Sequence, residues 1–272
     1  MKILKMALTA VAVMALGTSA FADEAYDIVK KSTTLPVPET SETDMILSNI
    51  EKDGTVETRL MKQVGREVDG LVSTVFEFKS PASVKDTRVL QSEKKGREDD
   101  RWIYMPSLRQ VRRIPMGERY KQFVGCEFTY NDMAIRDVDA DTHEMLEQEV
   151  KVSIPGGKSY TCWKIKSVPK KKGDVEYSYR IQYIDKETYL PAKFEYFDKK
   201  DPTKLMKTYT TEDWMYYKAK KSGKTYNLRT KARIVNNITG RQTLLEIKPP
   251  KFDEGVSPAY FTQQFLSTGK AK

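Results

Sequence analysis

The chain has 272 residues, with 47 lysines and arginines against 38 aspartates and glutamates, and its net charge is +9. It contains one histidine and two cysteines, so it offers few groups for acid–base or nucleophilic catalysis. The modest positive excess mildly favours anionic partners, and the length suits one large β structure that buries a core without disulfide staples.

Residues 1–22 have the three parts of a cleavable secretory signal. Lys2 and Lys5 give a positive start, and Met6–Leu16 is an apolar run. Ala20 and Ala22 then supply small residues at the two positions that a signal peptidase recognises. The run is shorter than the roughly 20 apolar residues that cross a bilayer. We therefore expect a mature chain that begins near Asp23, in the periplasm of a Gram-negative bacterium. Cleavage would lower the net charge to +7, and export argues against a nucleic-acid partner.

The first element predicted after the signal is a short amphipathic helix at residues 24–31, because apolar residues recur there at helical spacing. Residues 32–43 contain two prolines and predict a loop. From there the apolar pattern has a period of two, which predicts β-strands separated by turn residues. These strands are predicted at 55–64, 71–78, 86–91, 101–105, 110–114, 158–168, 175–184, 192–197, 205–215, 226–236 and 242–248.

Two further helical segments are predicted, at Tyr130–Ile135 and after Ser257–Pro258, where serine and proline are typical of a helix start. Strands in this regular succession, without βαβ alternation, predict a mainly β fold with a strongly curved antiparallel sheet. A few helices should cover its concave side. We expect residues 23–272 to form a single domain.

Large apolar side chains recur on one face of several predicted strands, and they are our candidates for an apolar ligand cavity. Ordinary packing in the core is the alternative interpretation. The C-terminal helix is expected to cover this cavity. The candidate residues are Val72, Phe76, Phe78, Trp102, Tyr104, Tyr177, Tyr179, Ile181, Tyr183, Phe261 and Phe265.

The arginines around Trp102 and Tyr104 scatter over two predicted strands, so they do not form the one-sided basic stripe that nucleic acid requires. Lys170–Lys172 is a compact positive run, and it predicts either a solvated hairpin tip or a contact with lipid headgroups.

A catalytic or metal site is not indicated by any motif that we recognise. His143 stands alone in a polar acidic stretch and is expected to be a solvated surface residue. Asp137, Asp139 and Asp141 have the opening spacing of a calcium loop, but the glycine and glutamate that the loop also requires are replaced by Thr142 and Gln148. We therefore expect neither an enzyme, nor a cofactor, nor a bound metal.

Cys126 and Cys162 are a disulfide candidate, because an even number of thiols outside the cytoplasm favours pairing. Two separate buried thiols are the alternative.

Several motifs resemble the longer branch of the outer-membrane lipoprotein-sorting, LolA-like family. Asp100–Leu108 (DRWIYMPSL) fits that branch's W-x-Y-x-P pattern, Val111–Ile114 fits R-R-I, and Phe123–Met133 fits F-x-G-S-D-F-x-Y-E-D with Cys126–Glu127 in place of Ser-Asp. Further matches are Phe78–Pro81, Val84–Thr87, Asn236–Gly240, Thr243 and Phe261–Thr262.

The resemblance implies an incomplete β barrel with helices over its open side, enclosing an apolar cavity for acyl chains. It also implies a periplasmic carrier of lipid or lipoprotein, with transient membrane contact and an inner-membrane exporter of the resistance-nodulation-division type as a partner. The alternatives are a sensing or accessory subunit that transports nothing, and, third, a periplasmic hydrolase.

Overall fold

The computed structural model describes residues 23–155 and 157–271. The predicted signal at residues 1–22 lies outside this part of the chain. Within the described ranges, no helix combines the length and the apolar character needed to cross a bilayer.

Fourteen strands make up most of the described chain, and they confirm the predicted mainly β fold. In chain order they are β1 (Thr40–Ile50), β2 (Val56–Val68), β3 (Leu71–Ser80), β4 (Arg88–Ser92), β5 (Asp100–Met105), β6 (Gln110–Arg113), β7 (Asp141–Ser153), β8 (Ser159–Pro169), β9 (Tyr177–Asp185), β10 (Pro191–Asp198), β11 (Leu205–Lys218), β12 (Thr225–Asn236), β13 (Gln242–Ile247) and β14 (Lys251–Phe252).

The strands form one antiparallel, curved and unclosed sheet in the order β6-β5-β4-β3-β2-β1-β13-β12-β11-β10-β9-β8-β7, with β14 paired to β1. Each half is a meander, because consecutive strands are neighbours from β1 to β6 and from β7 to β13. Pairing of Met45–Ile50 with Gln242–Ile247 joins the two halves. The edge strands β6 and β7 are joined by the connection 114–140, which contains three short 3-10 turns.

Three strands, β1, β7 and β14, were not predicted from the sequence. Strand β1 begins within the segment expected to be a loop, and β7 contains the polar acidic stretch around His143, for which no strand was predicted. Strand β7 is hard to recognise because most of its side chains are exposed and many of them are polar or charged, so its apolar alternation is weak. The predicted helical segment Tyr130–Ile135 is also wrong, since these residues form turns.

The two faces of the sheet bury different side chains, as strand alternation requires. We call the inner face the concave one that bears Phe76, Ile103 and Tyr177, which belong to the largest hydrophobic cluster. The outer face is the opposite one, which bears Val75 and Leu90.

A helix at residues 23–33, α1, lies against the inner face and confirms the predicted N-terminal helix. Its Ala25, Ile28 and Val29 follow helical spacing and pack against Ile165 of β8 and Ile184 of β9. This end of the inner face is therefore covered by the N-terminal part of the described chain.

The C-terminal helix α2 (Gln263–Thr268) lies against the outer face. The Thr262 hydroxyl accepts a hydrogen bond from the backbone N–H of Phe265 at 3.1 Å and begins the helix. Gly269, at φ 69°, ends it in the left-handed conformation that glycine adopts readily. Phe265 and Leu266 are buried against Val75 and Leu90. The predicted helix start at Ser257–Pro258 instead begins a 3-10 turn, Pro258–Phe261, that precedes α2.

Candidate functional site

A cavity of about 470 Å³ lies on the inner face and is the best candidate for a functional site. Its volume falls within the range typical of small-molecule sites. Strands from both halves of the sheet and the connection 114–140 contribute to its wall. The apolar part of the wall includes Met45, Val72, Phe76, Phe128, Met133, Ile135, Val175, Tyr177, Phe194, Tyr196, Tyr209, Leu228, Leu245 and Ile247.

The cover of this cavity is formed by the end of α1 and the segment that follows it. Ser32, Thr33 and the run Leu35–Val37 line the cavity, so the helix holds them in place over the inner face. On the connection 114–140, residues Met133–Arg136 also line it. Val37 and Ile135 are 38% and 49% exposed, so each of these two segments carries an apolar side chain that reaches solvent.

Polar side chains also line the cavity, among them Gln63, Gln91, Arg180 and Arg229. Glu176 is paired with Lys207, whose Nζ lies 2.7 Å from its Oε1. Burial raises the pKa of Glu176 to about 7, against the opposing effect of the lysine charge. The cavity is therefore apolar along much of its wall but carries ionisable groups at defined points.

Three of the eleven predicted site residues line this cavity: Val72, Phe76 and Tyr177. Phe78 lies on the same face but in its closed part, where it is fully buried and its ring is 5.8 Å from that of Phe123. The inner face of β3 therefore combines packed core and cavity wall.

Tyr179, Ile181 and Tyr183 lie on the outer face, away from Tyr177. The pairing with β10 shifts register between Tyr177 and Tyr179, where two steps of β9 oppose one step of β10. Such a bulge reverses the alternation. Arg180 and Gln182 line the cavity instead. The predicted common face of the four residues 177, 179, 181 and 183 is therefore wrong.

Trp102, Tyr104, Phe261 and Phe265 do meet one another, but in the cluster under α2 on the outer face. The structure thus differs from the expectation that the C-terminal helix covers the cavity. The inward-facing residue of β5 is Ile103, which belongs to the large inner cluster.

Cys126 and Cys162 are free thiols, in contrast to the disulfide expected from their even number. Cys126 lies in the inner cluster, whereas Cys162 lies in a cluster with Tyr183 on the outer face. The sheet therefore lies between them. Burial raises the pKa of each thiol to about 12, which keeps both protonated and unreactive at neutral pH.

His143 is buried, with 9% of its surface exposed, so the prediction of a solvated histidine is wrong. Its Nδ1 lies 2.7 Å from the Ser167 hydroxyl, and its Nε2 lies 3.0 Å from the carbonyl oxygen of Val138. The Ser167 hydroxyl also accepts a hydrogen bond from Gln182 at 2.5 Å. Burial lowers the pKa of His143, which favours its neutral form.

The three alternating aspartates make separate protein contacts. Asp137 accepts a hydrogen bond from the backbone N–H of Asp139, and Asp139 accepts one from the Tyr26 hydroxyl. Asp141 is buried and paired with Arg136 at 2.6 Å. Across residues 23–155 and 157–271, no group of histidines, cysteines and carboxylates has the arrangement of a metal site.

Sequence reasoning missed most of the cavity wall beyond β3 and β9. Phe194 and Tyr196 alternate in the predicted strand 192–197, which was a usable signal for a shared face. The contribution of residues 32–37 carried no such signal, because it depends on where α1 packs.

Comparison with known proteins identifies a matching family and several solved structures with a similar fold. The model of a family of uncharacterized proteins matches residues 70–268. The structure of a DUF1329 family protein from Desulfovibrio piger is 25% identical, with 90% of this chain and 99% of that chain covered and a TM-score of 0.77. No curated protein matches the chain.

Two further solved structures share the fold. One is described as an outer membrane lipoprotein-sorting protein domain from Vibrio parahaemolyticus, with 24% identity, coverage of 90% of this chain and 99% of that chain, and a TM-score of 0.78. The other is a LolA superfamily protein from Nitrosomonas europaea, with 16% identity, coverage of 89% and 98%, and a TM-score of 0.62.

The matched family model spans more than half of the chain, and the curved, unclosed sheet is shared with LolA superfamily structures. The chain therefore belongs to this family of uncharacterized proteins, and its fold is LolA-like.

Proposed function

We propose that this protein is a periplasmic carrier that shelters an acyl chain of a lipid or lipoprotein during transfer between the inner and outer membranes. In this proposal residues 1–22 are removed on export, and residues 23–272 act as one carrier domain. An inner-membrane exporter of the resistance-nodulation-division type is the partner from which cargo is accepted.

The observation that carries the proposal is the covered apolar cavity on the inner face. Burial of each acyl CH₂ group contributes about 0.8 kcal/mol of binding free energy. An acyl chain enclosed among Phe76, Phe194 and Leu228 is therefore bound by hydrophobic burial alone, without a chemical reaction. The likeness to a lipoprotein-sorting domain from Vibrio parahaemolyticus supports the same function.

Entry of a ligand requires the cover to move, because the strands are held by their hydrogen-bonded ladders. The segment 32–37 is the mobile element in this proposal, since it lines the cavity but belongs to no strand. Release then depends on a partner that binds this cover or competes for the acyl chain.

Lipid extraction from protein purified out of the periplasm, followed by mass spectrometry, tests whether cargo is present. Binding of a fluorescent fatty-acyl probe to delipidated protein then tests the cavity itself. We expect Val72→Trp to lower probe affinity, because Val72 lines the cavity. Leu71→Trp is the matched control, since the neighbouring residue of β3 faces the opposite way.

A wild-type protein that contains no lipid and binds no probe would contradict the carrier function. If such a protein still captured one envelope protein, the non-transporting accessory subunit would become the better interpretation. Equal loss of affinity in both tryptophan variants would show that the probe binds elsewhere.

A further inference from the structure

Two arginines of the cavity wall, Arg180 and Arg229, lie on adjacent aromatic rings. The guanidinium carbon of Arg180 is 5.2 Å from the centroid of the Phe194 ring, and that of Arg229 is 5.4 Å from the Tyr209 ring. The Phe194 and Tyr209 rings are themselves 5.3 Å apart. The cavity therefore has a cationic region built on the same aromatic residues that form its apolar wall.

The hydrogen-bonding capacity of both arginines is only partly used. The Nε atom of each is buried and makes no hydrogen bond within the described residues. Arg180 is only 9% exposed, and its ion pair with Asp141 is long, at 3.5 Å. Asp141 is already held by two nitrogens of Arg136. Arg229 makes no ion pair in the part of the chain that the structure describes.

The carboxylates that line the cavity, in contrast, are engaged by the protein. Glu176 is paired with Lys207. Asp132 accepts hydrogen bonds from the backbone and the hydroxyl of Thr129, both at 2.7 Å. Glu93 accepts one from the backbone N–H of Val72 at 2.7 Å, and Asp99 lies 3.6 Å from Arg101. Each of these four carboxylates therefore has a hydrogen-bond donor or a cationic partner within the protein, whereas the Nε atoms of Arg180 and Arg229 have no acceptor among the described residues.

Gln91 is a second, independent indication of a polar ligand. It lines the same cavity, is 6% exposed, and neither its amide nitrogen nor its amide oxygen has a partner within the described residues. A buried polar group without a partner destabilises the protein, and a buried charge without a partner destabilises it more. A ligand that brings oxygen atoms into the cavity would offset these costs.

We propose that Arg180 and Arg229 bind the anionic group of the cargo, so that the ligand is an acyl lipid with a carboxylate or phosphate and not a neutral lipid. This inference rests on the proposed carrier function and names its substrate class. The acyl chain lies along the apolar wall, and the amide of Gln91 binds polar atoms near the headgroup.

The test compares two fluorescent probes with the same acyl chain, one a free fatty acid and the other its methyl ester. Delipidated wild-type protein should bind the acid about ten-fold or more tightly than the ester, as expected for hydrogen bonds to a charged group. Arg229→Gln should remove most of this preference and leave ester affinity within about two-fold. Arg180→Gln should act in the same direction.

Arg66→Gln is the matched control. Arg66 also stacks on an aromatic ring, with its guanidinium carbon 5.0 Å from the Phe261 centroid, and its Nε is also buried without a partner. It does not line the cavity, so this variant should keep the wild-type preference. Ester binding and far-UV circular dichroism show whether each variant is folded.

The outcomes separate the two proposals. Failure of both probes to bind the wild-type protein would contradict the carrier function. Equal binding of acid and ester by the wild type would overturn only the anionic ligand. Loss of preference in Arg66→Gln to the same extent as in Arg229→Gln would also overturn it. Displacement of the acid by inorganic phosphate at the probe's own concentration would point to a free anion as the ligand.

Discussion

The helices near the two ends of the described chain cover opposite faces of the same sheet. Helix α2 seals the outer face beside β3–β5, where Phe265 and Leu266 pack with Trp102 and Tyr104 into a closed cluster. Helix α1 packs on the inner face beside β8 and β9, and the chain that follows it crosses a cavity. Helix α2 therefore completes a closed hydrophobic cluster, whereas α1 positions the segment that covers the cavity.

This difference shows that a high aromatic content does not by itself indicate a cavity. Trp102 and Tyr104 are packed against α2, whereas Phe194 and Tyr209 line open space on the other face. What distinguishes the two regions is the element that covers them. We therefore expect changes under α2 to alter stability alone, and changes under α1 to alter ligand binding as well.

The largest effect is expected for Phe265→Ala. Phe265 is 2% exposed in the cluster under α2, and removal of a buried aromatic ring costs about 3–5 kcal/mol. Urea unfolding monitored by circular dichroism measures the loss. The affinity of the folded variant for the fatty-acyl probe should be unchanged, because the cluster lies on the outer face. Phe194→Ala, in the cavity wall, is the contrasting variant and should weaken probe binding.

If Phe265→Ala weakened probe binding as much as Phe194→Ala while the protein stayed folded, α2 would have to be coupled to the cavity. The division of roles between the two helices would then be wrong.

A smaller effect on stability is expected for Val29→Ala in α1. Val29 is 1% exposed and packs against β8 and β9, so loss of two methyl groups should cost about 2 kcal/mol. Because α1 positions residues 32–37 over the cavity, the rate of probe release should rise. Stopped-flow exchange of the probe measures this rate, and Lys30→Ala, at an exposed position of the same helix, is the control. An unchanged release rate in a destabilised Val29→Ala protein would contradict a cover held by α1.

The smallest effect is expected in the pH dependence of the free energy of unfolding, which His143 in the region under α1 should influence. Burial lowers the pKa of His143, so the unfolded chain takes up a proton at higher pH than the folded protein does. The contribution of His143 to the free energy of unfolding should therefore be complete above the ordinary histidine pKa of about 6.5. It should decrease as the pH falls below that value. Urea unfolding at a series of pH values measures the slope, which should be shallower in His143→Gln. Parallel profiles for the two proteins would show that His143 does not contribute.

Much of the local structure followed from the sequence. Alternation grouped Val72 with Phe76, and Trp102 with Tyr104, and each pair does share a face. Apolar residues at helical spacing predicted α1, and the motifs around Trp102 and Phe123 indicated a LolA-like fold, which the comparisons confirm. These features depend on neighbours along the chain, so the sequence alone carries them.

Only the tertiary structure decided which face became the cavity. A period of two has the same form on both faces of a strand, so it could not place Trp102 outside and Phe76 inside. The register shift in β9 turned Tyr179 away from Tyr177, and the sheet came to lie between Cys126 and Cys162. Pairing of β1 with β13 sets the halves side by side, and the packing of α1 places residues 32–37 over the inner face. These outcomes depend on contacts between residues far apart in sequence, and no local pattern encodes them.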